Sequence, residues 1–300
     1  MFIGIDMGGT KIAALVLNGD GRELARLRLP TPTSYEDTLK ALAKLVIELE
    51  NEVGAAGLPV GLGLPGVVDA VAGTVQALNL PWLSGCNLAA DLATRLKRTV
   101  AIANDGNCFA LSEAVDGAGA GARTVFGAVL GTGVGGGLVV DGNCLNGCHG
   151  ITGEWGHTPL PWREPKDGPP VQCLCGRMGC IETILCGTGL INIHRRLGGT
   201  AACAAEVGLK AASGDDIATQ ALELYFSALA RALSVVLNLL DPDAIVLGGG
   251  LSDLPDISNS VQRLWCGLSL AGQPRTRLSK ARHGADSGVR GAAWLARQRT

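Results

Sequence analysis

MFIGIDMGGTKIAALVLNGDGRELARLRL, residues 1–29, is the stretch that decides the fold. It is typical of strand, glycine-rich turn, strand, Asn-Gly or Asp-Gly turn and strand, which predicts an antiparallel meander. TVFGAVLGTGVGGGLVVDGN, residues 124–143, has the same order of apolar runs and glycine turns. We interpret it as an internal repeat that begins roughly 120 residues later. The sequence therefore predicts an α/β chain of two similar lobes, whose glycine turns face one ligand-binding cleft.

The segments outside the two meanders alternate between helical and strand patterns. Apolar residues at helical spacing predict a helix over 38–53, and further helices are expected at 88–98, 106–118, 216–242 and about 286–300. The glycine- and alanine-rich residues 115–123 divide the chain. We expect an N-terminal α/β lobe over 1–118, with the closing helix packed back on it, and a larger C-terminal α/β lobe over 119–285 that holds a zinc site.

Composition excludes several classes of protein. The 300 residues include 47% apolar and 17% charged side chains, with a net charge of −2, so nothing predicts binding to nucleic acid or to a membrane. No signal peptide is readable, because Asp6 interrupts the apolar start. We expect a cytoplasmic protein. Three of the ten cysteines lie within eight residues, which favours metal binding in a reducing compartment.

Three glycine-rich stretches, at residues 6–11, 131–137 and 248–250, are candidate phosphate-binding loops. Gly131, Gly133 and Gly136 satisfy the G-x-G-x-x-G pattern of dinucleotide-binding enzymes. That pattern must open a helix, whereas three consecutive glycines disfavour a helix and the residues that follow continue as a strand. No P-loop motif occurs. We expect hairpins whose backbone N–H groups contact phosphate.

Two aspartates are candidate catalytic groups. Asp6 ends a strand beside glycines, where a carboxylate can orient hydrated Mg²⁺ on a nucleotide, with Thr10 and Lys11 supplying a hydroxyl and a cation. The alternative is a turn cap and a solvated charge. Asp105 lies where a strand ends and a helix begins, a position typical of an N-cap. It can be both a cap and the base that receives a proton from an attacking hydroxyl.

Cysteines and a histidine form the most specific motif. His157, Cys173, Cys175 and Cys180 offer three thiolates and an imidazole, a complete tetrahedral shell for a structural zinc ion. Cys148 and Cys186 are rival ligands, and a redox disulfide is the other alternative. Zinc would fix Glu154 and Glu182 beside the site. Two carboxylates and an imidazole suit a polyhydroxylated ligand, although solvated surface glutamates are the plain alternative.

The motifs GIDMGGTK, LPG, NDGNC, GTGVGGG, GEWGH, CLCGRMGCIE and GGG together resemble the ROK sugar kinases of the actin-like/hexokinase superfamily. The resemblance covers the chain from Ile3 to about Trp294. It implies a two-lobed actin-like ATPase (ribonuclease H-like) fold with duplicated βββαβα lobes. It also implies ATP-dependent phosphorylation of a hexose, with Mg²⁺ accompanying ATP and zinc as a structural ion. One departure is Gly106, where alanine is more usual, and it should loosen the start of the helix.

The resemblance also implies roles for individual residues. Asp105 would be the general base for the sugar 6-hydroxyl. The residues expected to contact the sugar are Asn104, Glu154, His157, Glu182 and, more weakly, Gly66 and Asn79. The metal ligands would be His157, Cys173, Cys175 and Cys180. The residues expected to contact ATP are Gly4, Asp6, Gly8, Gly9, Thr10, Lys11, Gly131, Thr132, Gly133, Gly135, Gly136, Gly248, Gly249 and Gly250.

The resemblance leaves the sugar open. NLPWLSG, GEWGHTPLPW and RGAAWL look most like the fructokinase or mannofructokinase branch, whereas GITGEW is also similar to N-acetylglucosamine kinases. We therefore expect fructose first, N-acetylglucosamine second, and glucose or mannose third. The expected partners are ATP, a hexose and a second copy of the chain. A sugar sensor without catalysis is the rival from another class. A repressor is not expected, because no helix-turn-helix precedes the first strand.

Overall fold

The computed structural model describes residues 1–69, 71–77 and 79–298. The strands in these residues are β1 (Phe2–Met7), β2 (Lys11–Leu17), β3 (Glu23–Pro30), β4 (Val60–Leu64), β5 (Val67–Val68), β6 (Val75–Gln76), β7 (Val100–Asn104), β8 (Thr124–Leu130), β9 (Val134–Val140), β10 (Asn143–Cys144), β11 (Ala244–Gly248) and β12 (Arg277–Lys280). The α-helices are α1 (Tyr35–Glu52), α2 (Leu88–Leu96), α3 (Asp105–Val115), α4 (Glu182–Leu185), α5 (Gly187–Arg196), α6 (Ala204–Ala212), α7 (Asp216–Leu240), α8 (Ile257–Leu264) and α9 (Ser287–Gln298).

Two five-stranded sheets share one topology. The first has the order β3-β2-β1-β4-β7 and the second the order β10-β9-β8-β11-β12. In the first sheet β1 to β3 form an antiparallel meander, while β4 and β7 join in parallel. In the second sheet β8, β11 and β12 are parallel. The equivalent positions of β1 and β8 confirm the internal repeat, and the mixed α/β fold is the one that the sequence predicts.

The chain forms two compact units, and their limits differ from the expected lobes. Unit 1 comprises Met1–Gly121, Gly137–Thr152 and the residues from Arg282 on, and unit 2 comprises Ala122–Gly136 and Gly153–Ala281. The partition therefore falls inside β9, and 137–152 belongs to unit 1. Independent lobes divided at residue 118 stay a prediction. The closing helix belongs to unit 1, and residues 299 and 300 of the expected helix lie outside the described residues.

Unit 1 has different side chains on the two faces of its sheet. Ile3 and Ile5 of β1 alternate with Gly4, and they join a buried cluster with Leu42 and Val46 of α1. On the other face, Gly4 pairs in register with Gly61 of β4. This glycine face lies under α9, which contacts β1, β2, β4 and β7 as well as α3.

Close approach explains the glycines beneath α9. A Cβ at Gly4 would lie 2.1 Å from the carbonyl oxygen of Val289, and one at Gly61 would lie 1.9 Å from that of Ala292. Real Cβ atoms do not approach other atoms so closely, so only glycine at both positions lets the helix backbone rest on the strands. This corrects the expectation that Gly4 contacts the nucleotide, since Gly4 is buried under α9.

Unit 2 is built around α7. By length and composition alone, this helix could cross a membrane. However, 67% of its most apolar 18-residue stretch is buried inside the structure, as in a core helix. Arg231 of α7 forms a buried bidentate ion pair with Asp167, at 2.6 and 2.9 Å, and also donates to the carbonyl of Trp162. The ion pair fixes the position of Asp167 in the segment before the cysteine motif, because a bidentate pair of buried charges tolerates little change in geometry.

Candidate functional site

The junction of β7 and α3 carries Asp105. Asn104, not Asp105, is the N-cap: its backbone is extended, and its Oδ1 accepts from the N–H of Gly106 at 2.7 Å. Asp105 is instead the first residue of the helix, and its Oδ1 accepts from the same N–H at 2.8 Å. This corrects the expectation that one residue caps the helix and acts as base. The N–H of Gly106 therefore contacts both the cap residue and one oxygen of Asp105.

Asp105 keeps exposed surface, yet surrounding protein atoms displace part of the water around its carboxyl. This loss of solvation raises the pKa of Asp105, and the N–H of Gly106 opposes the rise. A carboxylate with a raised pKa accepts a proton more readily than an ordinary aspartate does. The raised pKa is a property that suits a general base.

Asp6 lies near the end of β1, on the glycine face and close enough to interact with Asp105 in the same unit. Burial raises the pKa of Asp6 to about 6, the charge of Asp105 adds to the rise, and Lys11 opposes it. The turn after Asp6 is a tight hairpin, in which the N–H of Gly8 donates to the carbonyl of Lys11 at 2.9 Å. Gly9, Thr10 and Lys11 are exposed at its tip.

The second glycine stretch, apart from Gly137, and the third lie together in unit 2. Residues 131–136, the glycine-rich loop, form the turn between β8 and β9 and the first part of β9, with the N–H of Gly131 donating to the carbonyl of Gly133 at 2.9 Å. Gly249 follows β11 with a φ of +78°, and a Cβ there would lie 2.2 Å from the carbonyl oxygen of Leu130. Because β8 and β11 are parallel, both stretches follow carboxyl ends of adjacent strands, a usual place for ligands.

Three cysteines and a histidine converge in unit 2. The ligand atoms of His157, Cys173, Cys175 and Cys180, the metal-ligand cluster, all lie within 4.8 Å of one another. The Nδ1 of His157 is 3.5 Å from the Sγ of Cys173, and the sulfurs of Cys175 and Cys180 are 3.6 Å apart. Zinc–sulfur bonds of about 2.3 Å place tetrahedral sulfurs about 3.8 Å apart. The donor set and its spacing therefore fit a zinc ion.

A turn at residues 173–177 carries two of the three thiols. Gly176, with a φ of +85°, lets the chain reverse, so that the N–H of Cys173 donates to the carbonyl of Arg177. The backbone N–H of Arg177 lowers the pKa of Cys175 to about 7, which favours the thiolate that binds metals. The rival Cys186 caps α5, since its Sγ accepts from the N–H of Gly189. Cys148 is exposed and belongs to unit 1.

Both glutamates that the sequence analysis placed beside the zinc site lie close to the metal-ligand cluster. The Oε2 of Glu154 is 3.9 Å from the Nε2 of His157. Glu182 begins α4, and its Oε1 is 3.5 Å from the Sγ of Cys173. Its Oε2 accepts from the N–H of Val134 in the glycine-rich loop at 2.9 Å. Glu182 therefore contacts both the metal-ligand cluster and the loop.

The weaker sugar candidates differ in their surroundings. The carbonyl of Gly66 accepts from the Nδ2 of Asn104 at 3.0 Å, so these two residues lie together. A Cβ at Gly66 would lie 2.5 Å from the carbonyl oxygen of Gln76, and its φ of +140° also requires glycine. Asn79 is exposed in the turn after β6.

Sequence reasoning missed two residues that touch these groups. Trp155 packs edge-on against Phe126, and its Nε1 donates to the carbonyl of Gly135 at 2.7 Å. Gly288, at the start of α9, leaves room for Asp6, because a Cβ there would lie 2.9 Å from the Oδ2 of Asp6. The sequence did contain a pointer to Trp155, because this residue lies inside the Glu-x-x-His motif. Nothing in the sequence pointed to Gly288, because it lies 282 positions after Asp6.

The model of the ROK family matches residues 2–299. The chain belongs to the ROK family. A relative named N-acetyl-D-glucosamine kinase, from Salmonella paratyphi B, is 41% identical over 300 residues, which cover 98% of this chain and 99% of the relative. This ROK member and that relative therefore align along almost their whole lengths.

Solved ROK structures share the fold. A ROK hexokinase from Thermus thermophilus is 31% identical with a TM-score of 0.87, covering 99% of this chain and 98% of that one. A ROK glucokinase from Streptomyces griseus, solved with glucose and AMPPNP, is 28% identical with a TM-score of 0.78, covering 99% of each chain. The fold of this ROK protein is the actin-like ATPase fold that the resemblance implies.

The comparisons support a sugar-kinase activity. They do not favour fructose, the sugar that the sequence analysis puts first, because the curated relative carries the name of its second choice. The motifs that suggested fructokinase are short, and a few residues are weaker support than identity over the whole chain.

Proposed function

We propose that this protein is an ATP-dependent N-acetyl-D-glucosamine kinase, which transfers the γ-phosphate of ATP to the 6-hydroxyl of the sugar. The observation that carries the proposal is the 41% identity over 98% of the chain to a kinase of that name. The raised pKa of Asp105 at the start of α3 supports it. Glucose is the second candidate, because the neighbour from Streptomyces griseus is a glucokinase.

In the proposed reaction Asp105 is the general base. It accepts the proton of the sugar hydroxyl while that oxygen bonds to the γ-phosphorus, and the bond from phosphorus to the bridging oxygen breaks to release ADP. The hydrogen bond from Gly106 holds one carboxylate oxygen, so the other can receive the proton. The residues proposed to hold the sugar hydroxyls are Asn104, Glu154, His157 and Glu182.

Nucleotide binding is assigned to the glycine stretches. Backbone N–H groups of the first turn and of the glycine-rich loop are proposed to contact the phosphates, and residues 248–250 the adenosine. Asp6 would orient the Mg²⁺ that accompanies ATP, a role suited to a carboxylate beside exposed Thr10 and Lys11. The metal-ligand cluster is proposed to hold structural zinc, which when bound completes its shell with four protein ligands. We further propose a cytoplasmic homodimer.

A coupled ADP-release assay tests the proposed substrate. We expect kcat/KM to be highest for N-acetylglucosamine, with glucose, mannose and fructose below it. The same assay without sugar measures background ATP hydrolysis. A higher kcat/KM for fructose would restore the first expectation from the sequence. Sugar binding by calorimetry without turnover of any sugar would instead establish the sensor.

Substitution of the proposed base tests the mechanism. Asp105→Asn should lower kcat by about 10²–10⁴-fold, because the proton acceptor is lost while the cap on Asn104 remains. Asp20→Asn is the matched control, since Asp20 is an exposed aspartate of the same unit. Both proteins should keep the same circular dichroism and the same sugar affinity. Full turnover by the Asp105 variant would exclude the mechanism.

A further inference from the structure

The glycine-rich loop is held from two sides by segments that carry the metal-ligand cluster. All of the groups concerned belong to unit 2. His157 lies on one of these segments, directly after Trp155 and Gly156, and Cys173, Cys175 and Cys180 lie on the other, which ends at Glu182. The contacts from both segments fall on two consecutive residues, Val134 and Gly135.

The first contact is made by Glu182. One of its oxygens is 3.5 Å from the sulfur of Cys173, and the other accepts from the backbone N–H of Val134 at 2.9 Å. A Cβ on Gly133 would lie 2.7 Å from the same Oε2. A single carboxylate thus bridges a metal ligand and the backbone of the loop, and the missing side chain at Gly133 makes room for it.

The second contact comes from the histidine side. The Nε1 of Trp155 donates to the carbonyl of Gly135 at 2.7 Å. A Cβ on Gly156 would lie 2.0 Å from the carbonyl oxygen of Val134, so the two backbones touch. His157 follows at once, and its ring approaches Cys173. Any shift of His157 toward or away from the thiols must therefore move the groups that hold Val134 and Gly135.

We propose that metal occupancy of the cluster sets the affinity of the glycine-rich loop for nucleotide, with Glu182 and Trp155 as positioning residues. This proposal rests on the nucleotide role given to the loop under the proposed function. In this proposal the cluster has a second role beside its structural one, because it affects nucleotide binding. Because linkage is reciprocal, bound nucleotide must tighten zinc binding by the factor by which zinc tightens nucleotide binding.

Calorimetry with MgADP tests the coupling. Zinc-loaded protein should bind MgADP about tenfold more tightly than protein stripped with a chelator, a typical size for coupling between two sites. The affinity for Zn²⁺, measured by competition with a chromophoric chelator, should rise by the same factor when MgADP is present. Equal MgADP affinities with and without zinc would overturn the inference.

A tryptophan pair separates positioning from general stability, and its MgADP titration is made on zinc-loaded protein. Trp155→Phe keeps an aromatic ring against Phe126 and loses the donor to Gly135, whereas the indole N–H of Trp265, buried in the same unit, has no hydrogen-bond partner among the described residues. Zinc-loaded Trp155→Phe should bind MgADP about tenfold more weakly, and its zinc affinity should no longer respond to MgADP. Trp265→Phe should behave as the parent protein in both measurements.

The outcomes separate the two proposals. If zinc-loaded parent protein does not bind MgADP, both the nucleotide role of the loop and the coupling fail. If it binds MgADP and Trp155→Phe matches Trp265→Phe, the proposed function stands and the coupling is wrong. A Glu182→Gln variant that keeps its zinc yet binds MgADP more weakly would support the second arm of the coupling.

Discussion

At the scale of single residues, the burial of ionised Asp6 lowers the free energy of unfolding at neutral pH. Asp6 lies on the glycine face near Asp105, and burial raises its pKa from 3.8 to about 6. A group whose pKa is higher in the folded protein favours folding most at low pH, where it is protonated. That contribution is lost as pH rises from about 4 to about 6, between the unfolded and folded pKa values.

Asp6→Asn should therefore stabilise the protein above pH 6 while it impairs catalysis. In buffer without nucleotide and Mg²⁺, we expect a gain on the order of 2 kcal/mol at pH 8, since one pKa unit corresponds to about 1.4 kcal/mol and Asp6 keeps some solvent contact. Thermal melts at pH 8 and pH 4 measure it, and the gain should nearly vanish at pH 4. An equal gain at both pH values would contradict the assigned cause.

The pair Asn104 and Asp105 shows the limit of residue-level reasoning. The sequence places both at a strand–helix junction, and either side chain can cap a helix. Only the extended backbone of Asn104, with its Oδ1 aimed at Gly106, decides which residue does. Chemistry and position in the sequence identified the candidate base, but they did not show that Asn104 is the N-cap.

At the scale of elements, glycine decides where α9 packs. Gly4 and Gly61 lie in register under the helix, and Gly291 of α9 itself faces α3, where a Cβ would lie 1.7 Å from the carbonyl oxygen of Cys108. Alternation in VGLGLPG is visible in the sequence, and it indicates one face without side chains. It does not indicate that a helix more than two hundred residues away fills the space.

Gly61→Ala should destabilise unit 1 strongly, because its methyl group would meet the backbone of Ala292 at 1.9 Å. We expect a loss of about 3 kcal/mol or more, the range of overpacked cores. Gly19→Ala is the matched control, with open space around the added methyl group and an expected change within about 0.5 kcal/mol. Denaturant unfolding measures both free energies, and similar values for the two variants would refute close packing.

At the scale of the whole molecule, the main features are the repeated strand order of the two sheets and the return of the chain to unit 1. The second meander begins a second sheet of the same topology, yet residues 137–152 and those from Arg282 on belong to unit 1. Buried Glu113 of α3 anchors the returning chain, since it accepts from the N–H groups of Arg282 and His283 and from the hydroxyl of Ser287. The last described residues of the sequence are thus part of the first unit.

A chain that ends at Ala281 should lose the native packing of unit 1. Without α9, the face that carries Gly4 and Gly61 is open to water and Glu113 loses three donors. We expect strong binding of a hydrophobic dye and no cooperative melt of unit 1, whereas the full chain should show both a cooperative melt and little dye binding. A truncated protein with the melt of the full chain would show that α9 is dispensable.

The sequence by itself determined the mixed α/β class, the duplication, the family and the four residues of the metal-ligand cluster. These follow from local periodicity and from ligand types at short spacing, which neighbouring residues dictate. Only the tertiary structure decided that Gly4 supports a helix, that Asn104 takes the cap, and that Glu182 and Trp155 join the cluster to the glycine-rich loop. Such contacts join residues distant in sequence, and they depend on packing distances that no local pattern records.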